Sequence, residues 1–567
     1  MNSKRGAEEA NNNGANVSVM MFVPVTTDLA QEQYGRRLLN ALIDHRARES
    51  PDWEYLLDPK TDDVADGFRH FRYGELASAI SIMAYWLDET LGSLPQSADA
   101  RETIAYIGPN DLRYIFLLLA AERTNRQLLV PLMQNSAEAQ GRLLDSTDTQ
   151  AVLSTDSHKH HWDWVLSTRG HIKSFVLPGL DHFYEQSTRR YPYCKNYEDV
   201  KNEACYIIQT SGTTGRFDEN VYKVATLPLE QRPASSFGLE PHTRINTMPY
   251  SWTVGIIISL IIPLFSNTVS IVLPASTPFP VPTETVETVL RLNPSVDVGL
   301  HIPETIRRLL LTEAGTAHLK GLDQLIFVGA PLDQQVGDML AQYTRVTNLI
   351  GSTETGGSYP CLVQPDPKDW AWLRLDLDNN GWSLENFTDD LYELAVKKDP
   401  ARLLPGFLLH PDRDILRTGD LFQEHPDPAK KGYWRVAGRV DDFVKLRSMT
   451  KFNAIQIEMM LNEDREIERS VVGGADRPVP FVILQPAKQW ESKEAAIEGM
   501  WKGVEKANAK IDGEVRLRRE MVIVADSERK IEVTQNETRE RRKAIEMYAR
   551  KIEDLYTRLQ VGAAMPL

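Results

Sequence analysis

One segment, ETIAYIGPNDLRYIFLLLAAERTNRQLLVPL from Glu102 to Leu132, restricts the fold more than any other. Its apolar run Ile104 to Ile107 reads as a buried strand stopped by Gly108 and Pro109. Asp111 is placed to cap a helix over Leu112 to Arg123, and LLVPL follows as a second short strand. Strand, turn, helix, strand in this rhythm predicts an α/β domain with parallel strands. The rhythm extends both ways. Arg37 to Arg46 reads as an amphipathic helix, an extended segment lies near Phe71, and Glu75 to Leu87 carries Leu76, Ala79, Ile80, Met83 and Leu87 on one helical face. Leu325 to Val328 reads as a strand before GAPL, and Val346 to Ile350 as a strand before GSTE.

At 567 residues the chain is too long for one core. The texture changes after about Asp412, where GYWRVAGRVDD leads into a smaller, charge-rich region. That region closes on a helical pattern, Thr538 to Leu559, with Ile545, Tyr548, Ile552 and Leu555 on one face. The expected organisation is a flexible polar tail over residues 1–35, a large domain over 36–440 and a small domain over 441–567, with the boundary near Asp441 and no internal repeat. With 42% hydrophobic and 25% charged residues a buried core is expected. The net charge of -15, without a basic stripe, argues against a nucleic-acid partner. Cys194, Cys205 and Cys361 suit neither a disulfide framework nor a zinc site, so a reducing compartment is expected. The polar N-terminus has no secretion signal. VGIIISLIIPLF, Val254 to Phe265, is too short to span a bilayer and contains Pro263; it reads as a buried core helix. These features point to a cytoplasmic protein.

The strongest chemical signal is YIIQTSGTTG, Tyr206 to Gly215. An apolar run opens into small hydroxyl and glycine residues. Glycines allow close backbone approach, and successive N–H groups in such a turn form an anion-binding nest. Thr210, Ser211, Thr213 and Thr214 add hydroxyls, and Gly212 and Gly215 the freedom of backbone. The set suits a polyphosphate, although it is not the GxxxxGK[ST] loop.

TSGTTG resembles the phosphate-loop signature of the adenylate-forming superfamily, which includes acyl-CoA synthetases, peptide-synthetase adenylation domains and luciferases. Further matches follow in that family's order. Gly329-Ala330-Pro331-Leu332 resembles the segment lying along adenine. Gly351-Ser352-Thr353-Glu354 resembles the signature in which a threonine contacts the α-phosphate and a glutamate helps hold Mg²⁺. Thr418-Gly419-Asp420 resembles the ribose-binding signature, and Gly438-Arg439-Val440-Asp441-Asp442 the inter-domain hinge, with Arg439 reaching the nucleotide and Asp441 as pivot. The resemblance covers about Arg36 to Tyr556. It implies an α/β fold with mixed and parallel sheets and a small mobile C-terminal α/β domain. It also implies an enzyme that uses ATP and Mg²⁺ to activate a carboxylic acid as its acyl-adenylate. YIGPNDLRY, GDLF and KAIEMYARKIEDLY are similar to fungal peptide-synthetase-like carboxylate reductases, in which carrier and reductase domains follow. Neither is expected up to Leu567, so if the acyl group goes to CoA or a carrier-protein pantetheine that partner comes in trans; a thiol, an amine and a hydroxyl are all open as acceptors.

Four positions depart from that pattern. Phe217 and Asp218 stand where the family has Pro-Lys after TSGTTG, with Lys223 nearby. PYSWTVG puts Trp252 at a histidine position before Gly255, beside the acyl pocket. TQNETRERRKA puts Asn536 where a mobile lysine bridges carboxylate and α-phosphate, and Lys530 lies six positions earlier. Losing such a contact typically costs on the order of 10²–10³ in rate, roughly 3–4 kcal/mol. Met449, in RSMTK, stands at a glycine that lines the thiol tunnel; either it obstructs the tunnel or the loop is shifted. No acid stands near PYSW to pair with an α-ammonium, so an aryl, hydroxy or aliphatic acid is expected rather than an α-amino acid. The rival reading is a member that has lost the chemistry and serves ATP-independent work or binding. His158, His160 and His161 beside Asp156 read as a solvated loop rather than a metal site, and His301 as structural.

Overall fold

Strand Glu102–Ile107 pairs in parallel with Arg126–Val130 on one side and Thr149–Ser154 on the other. Helix Arg113–Arg123 makes the crossover, and every one of its residues is buried. The computed structural model describes residues 38–563 except 96–100, 134, 186, 188, 201–202, 210–220, 225–242, 267, 294, 363–365, 378–380, 389, 401–402, 512, 527 and 532–540. Asp111 does not form the helix cap itself. Its Oδ1 accepts from the Arg113 backbone N at 3.0 Å, and its carboxylate also holds the Arg113 guanidinium, just outside the first turn.

Two sheets take up all the described strands as far as Asn348. One has six strands, ordered Lys173–Val176, Thr149–Ser154, Glu102–Ile107, Arg126–Val130, Tyr206–Gln209, Val221–Val224, with only the last pair antiparallel. The other has seven, ordered Arg345–Asn348, Gln324–Phe327, Val298–His301, Thr243–Asn246, Val269–Ile271, Glu54–Pro59, Phe68–Arg72, and only its last pair is antiparallel. The main core lies between them, built from helices Tyr73–Leu91 and Arg113–Arg123 and the apolar run after Thr253. That run is helical as expected, but its centre, Ile257–Ile261, is wound as a π-turn just before the turn that contains Pro263.

A four-stranded antiparallel sheet follows, Trp382–Thr388, Leu391–Lys397, Ile415–Glu424 and Trp434–Arg439. Beyond the short turn Val440–Asp442, the C-terminal region has its own sheet, Ile467–Gly473, Phe481–Pro486 and Val522–Val524, and its own apolar clusters. Helices Ala454–Asn462, Lys493–Asn508, Arg541–Met547 and Ala549–Ala563 cover it. The charged tail helix is thus broken at Tyr548, whose hydroxyl donates to the Arg529 carbonyl and accepts from the Asp526 backbone N at 3.0 Å. No helix among the described residues is long and apolar enough to cross a membrane.

Candidate active site

The ends of the seven-stranded sheet, the antiparallel sheet and the C-terminal region face one cleft of about 2150 Å³. Gly329, Ala330 and Pro331 line it, following strand Gln324–Phe327. So do Gly351, Ser352, Thr353 and Glu354, which form a small ribbon: Gly351–Ser352 pairs antiparallel with Gly357–Ser358 around a single helical turn. A Cβ on Gly351 would fall 2.0 Å from the Gly357 carbonyl oxygen, so only glycine closes this ribbon. Thr353 Oγ1 lies 3.2 Å from Thr253 Oγ1, which ties the ribbon to the helix after PYSW.

Asp420 is held from two sides in the cleft. Strand Ile415–Glu424 places it opposite Arg439 in register. The Arg439 Nη1 donates to Asp420 Oδ1 at 2.6 Å, and the Tyr359 hydroxyl donates to Asp420 Oδ2. Asp420 is buried, and burial raises its carboxyl pKa against the opposing pull of Arg439. Burial works against the Arg439 charge too, but Asp420 and its neighbours outweigh it and raise that pKa. Arg439 Nε is buried without a hydrogen-bond partner. The Arg439 backbone N donates to Asp442 Oδ2 at 3.1 Å, so the same residue starts the turn between domains. Asp441 is exposed on that turn and lines the cleft.

Trp252 is half-buried on the cleft wall, edge-on to Phe279 with ring centroids 4.8 Å apart. Gly255 is buried behind it: a Cβ there would fall 1.9 Å from the Pro249 carbonyl oxygen, so it shapes the turn under the pocket rather than its lining. Met449 stands on the tip of the hairpin formed by Phe443–Lys445 and Lys451–Asn453, 65% exposed and in the left-handed region at φ +74°. Thr210, Ser211, Gly212, Thr213, Thr214, Gly215, Phe217, Asp218 and Asn536 lie outside the described residues.

Three features were missed in the sequence. Tyr359 stands five residues after Glu354, a spacing that offered a weak signal for a partner of the ribbon. Arg541, in the basic run after Asn536, donates through Nη1 and Nη2 to the two oxygens of fully buried Glu458, at 2.5 and 3.1 Å. It also lies 4.0 Å from Asp442. Burial pushes the Asp442 pKa up to about 6 despite Arg541. Arg244 is fully buried in a strand; a lone cation inside TRIN was its only sequence mark. His301 and His318 face each other in the interior, and burial lowers their pKa values to about 3 and about 4. Among the described residues no cluster of three or more His, Cys, Asp or Glu could hold a metal alone.

Residues 43–375 match the family model of the AMP-binding enzyme, and residues 441–560 that of the AMP-binding enzyme C-terminal domain. A carboxylic acid reductase of Neurospora crassa is 27% identical over 94% of this chain and 52% of its own length. The adenylate-forming reductase Nps11 of Serpula lacrymans is 26% identical over 82% of this chain and 45% of its own. The chain thus spans about half the length of these curated relatives. Among solved structures, the anthranilate CoA ligase AuaEII with anthranoyl-AMP superposes at a TM-score of 0.66, with 13% identity over 90% of this chain and 97% of that one. ATP-bound MatB of Rhodopseudomonas palustris gives 0.66, with 16% identity over 90% and 99%. At such identities these likenesses speak for the fold. The family models cover both regions of the chain, and it belongs to the AMP-binding enzyme family.

Proposed function

We propose that the chain activates a carboxylic acid, other than an α-amino acid, as its acyl-adenylate. A carboxylate oxygen attacks the α-phosphorus of ATP, the bond to the β-phosphate oxygen breaks, and pyrophosphate leaves. The observation that carries this reading is the buried Asp420 carboxylate, held by Arg439 and Tyr359 on the wall of the cleft that also presents Thr353 and Glu354. Asp420 accepts from the ribose hydroxyls, Arg439 offers its unpartnered Nε to the nucleotide, and Thr353 donates to the α-phosphate. TSGTTG cradles the β- and γ-phosphates, and Gly329-Ala330-Pro331 flanks adenine. Glu354, with phosphate oxygens and water completing the shell, suits Mg²⁺, whose charge neutralises the triphosphate when bound. The acid lies between Trp252 and the Gly351 ribbon.

The acyl group then passes to an acceptor supplied in trans: a thiol of CoA or of a carrier protein, an amine or a hydroxyl. The competing reading, a member without ligase chemistry, draws on Asp218, Asn536 and Met449. Calorimetric titration of Mg·ATP separates the two. Binding that weakens in Asp420→Ala, followed by acid-dependent ATP–pyrophosphate exchange, supports adenylation. Absence of binding at millimolar nucleotide refutes it.

A further inference from the structure

Arg244 lies in strand Thr243–Asn246, flanked in parallel by Val269–Ile271 and Val298–His301. It is fully buried, and none of Nε, Nη1 and Nη2 has a hydrogen-bond partner. Among the described residues no carboxylate lies within ion-pair distance of it. Asp297 attracts it through space only, with Oδ1 already accepting from the Thr243 backbone N at 3.1 Å. Burial lowers the guanidinium pKa to about 10, so it keeps its charge at neutral pH.

The surroundings are selective. The register aligns Ser270, Arg244, Val298, Gln324 and Arg345 in one row, and such a row shares a face of the sheet. Asn246, two residues along on that face, is fully used: Nδ2 donates to Ser259 Oγ at 2.6 Å and Oδ1 accepts from the Met248 N at 2.8 Å. Ser270 Oγ donates to the Ile258 carbonyl at 3.0 Å. Two groups of this row are left buried without a partner, the Arg244 guanidinium and Gln324 Oε1, whose own Nε2 donates to Thr347 Oγ1 at 2.8 Å. Arg244 lines the same cleft as Trp252 and Thr353, with apolar Leu300 and Ile326 also on the lining. An isolated buried charge is among the costliest things a fold can hold, and a guanidinium fork fits a carboxylate in bidentate fashion. A cleft with apolar stretches of wall, a buried unpartnered guanidinium and a second arginine, Arg345, in the same row matches a ligand that is anionic at both ends.

We propose that the acid is a dicarboxylate: one carboxylate is activated beside Thr353, and the other, unreacted, is held by the Arg244 guanidinium at the far end of the pocket. This rests on the adenylation reading above. Gly351 stands six residues beyond Arg345 in the Arg244 row, at most roughly 20 Å along the chain at about 3.3 Å per residue. That span, shortened by the reach of the arginine, favours a long diacid over a malonate-sized one.

The test is ATP–pyrophosphate exchange by the intact protein with α,ω-dicarboxylic acids of increasing length, each against the monocarboxylic acid of equal length. Thermal shift with the same acids runs in parallel and needs no chemistry. The expected result is a preference for long diacids that falls on the order of 10²-fold in Arg244→Gln, with monoacid turnover kept. Val298→Asp, which supplies Arg244 with an internal carboxylate from the next strand, should abolish the same preference if Arg244→Gln does not fold. Equal or better turnover of monoacids by the wild type overturns the dicarboxylate assignment and leaves adenylation standing. Absence of exchange with any acid overturns adenylation; a diacid-specific thermal shift lost in Val298→Asp would still establish the anion subsite, and no such shift would end it.

Discussion

Arg541 links helix Arg541–Met547 to the buried Glu458, and its removal has a calculable cost. The Glu458 side chain is 1% exposed and the Arg541 side chain 18%. Two charge-assisted bonds join them, a third runs from Arg541 Nη1 to the Val472 carbonyl at 2.7 Å, and Glu458 Oε1 also accepts from the Val472 N at 2.7 Å. Arg541→Met removes the guanidinium from a buried carboxylate, and breaking a buried pair from one side costs about 3–5 kcal/mol. Glu458→Gln keeps the Val472 contact while removing the charge, so Arg541→Met in that background should cost only about 1 kcal/mol. The coupling is then about 2 kcal/mol or more. Urea unfolding followed by tryptophan emission reads it, because Trp490 and Trp501 pack on the C-terminal core. A single-variant loss under about 1 kcal/mol, or additive losses in the double variant, would refute the assignment of this pair as a buried anchor.

Asp442 gives a pH signature of known sign. Its folded pKa of about 6 lies above the ordinary 3.8, so the folded state holds the proton longer, and stability falls as pH rises between those values, by up to about 3 kcal/mol. Asp442→Asn should flatten that part of the stability profile; an unchanged slope counts against the buried carboxyl. Met449 sits at φ +74°, where a non-glycine side chain costs roughly 1–2 kcal/mol, so Met449→Gly should gain about 0.5 kcal/mol net of chain entropy, seen as a raised urea midpoint. If the hairpin tip borders the thiol path, that variant also lowers the KM for CoA or pantetheine. Asn536→Lys should raise acid-dependent pyrophosphate exchange on the order of 10²-fold; no change would remove the lysine site from the mechanism.

The elements that sequence reading located best carry their own periodicity. The strand from Glu102 to Ile107, the helix over Arg113 to Arg123 and the strand from Arg126 to Val130 stand within a residue or two of expectation, because burial on every side leaves continuous apolar runs. The motif residues Gly329, Ser352, Thr353, Glu354, Asp420 and Arg439 share one cleft. What escaped was non-local. Tyr359 meets Asp420 across 61 residues, and Arg541 meets Glu458 across 83. No local pattern announces such a pair. The π-turn at Ile257–Ile261 escaped for another reason: it adds one residue to a turn in a uniformly apolar segment, where periodicity has no polar face to shift.

The contact between Asp420 and Arg439 has a mechanical reading. Any ligand hydroxyl that takes the carboxylate must share it with, or displace, a guanidinium whose own backbone N is bonded to Asp442 at the start of the C-terminal region. A ligand hydroxyl at Asp420 Oδ1 and the Arg439 side chain therefore draw on the same oxygen, while the Arg439 backbone belongs to the turn. By linkage any such competition runs both ways: a ligand that displaces the guanidinium frees the Arg439 side chain, and a change at the turn that withdraws that side chain strengthens the hold of Asp420 on its ligand.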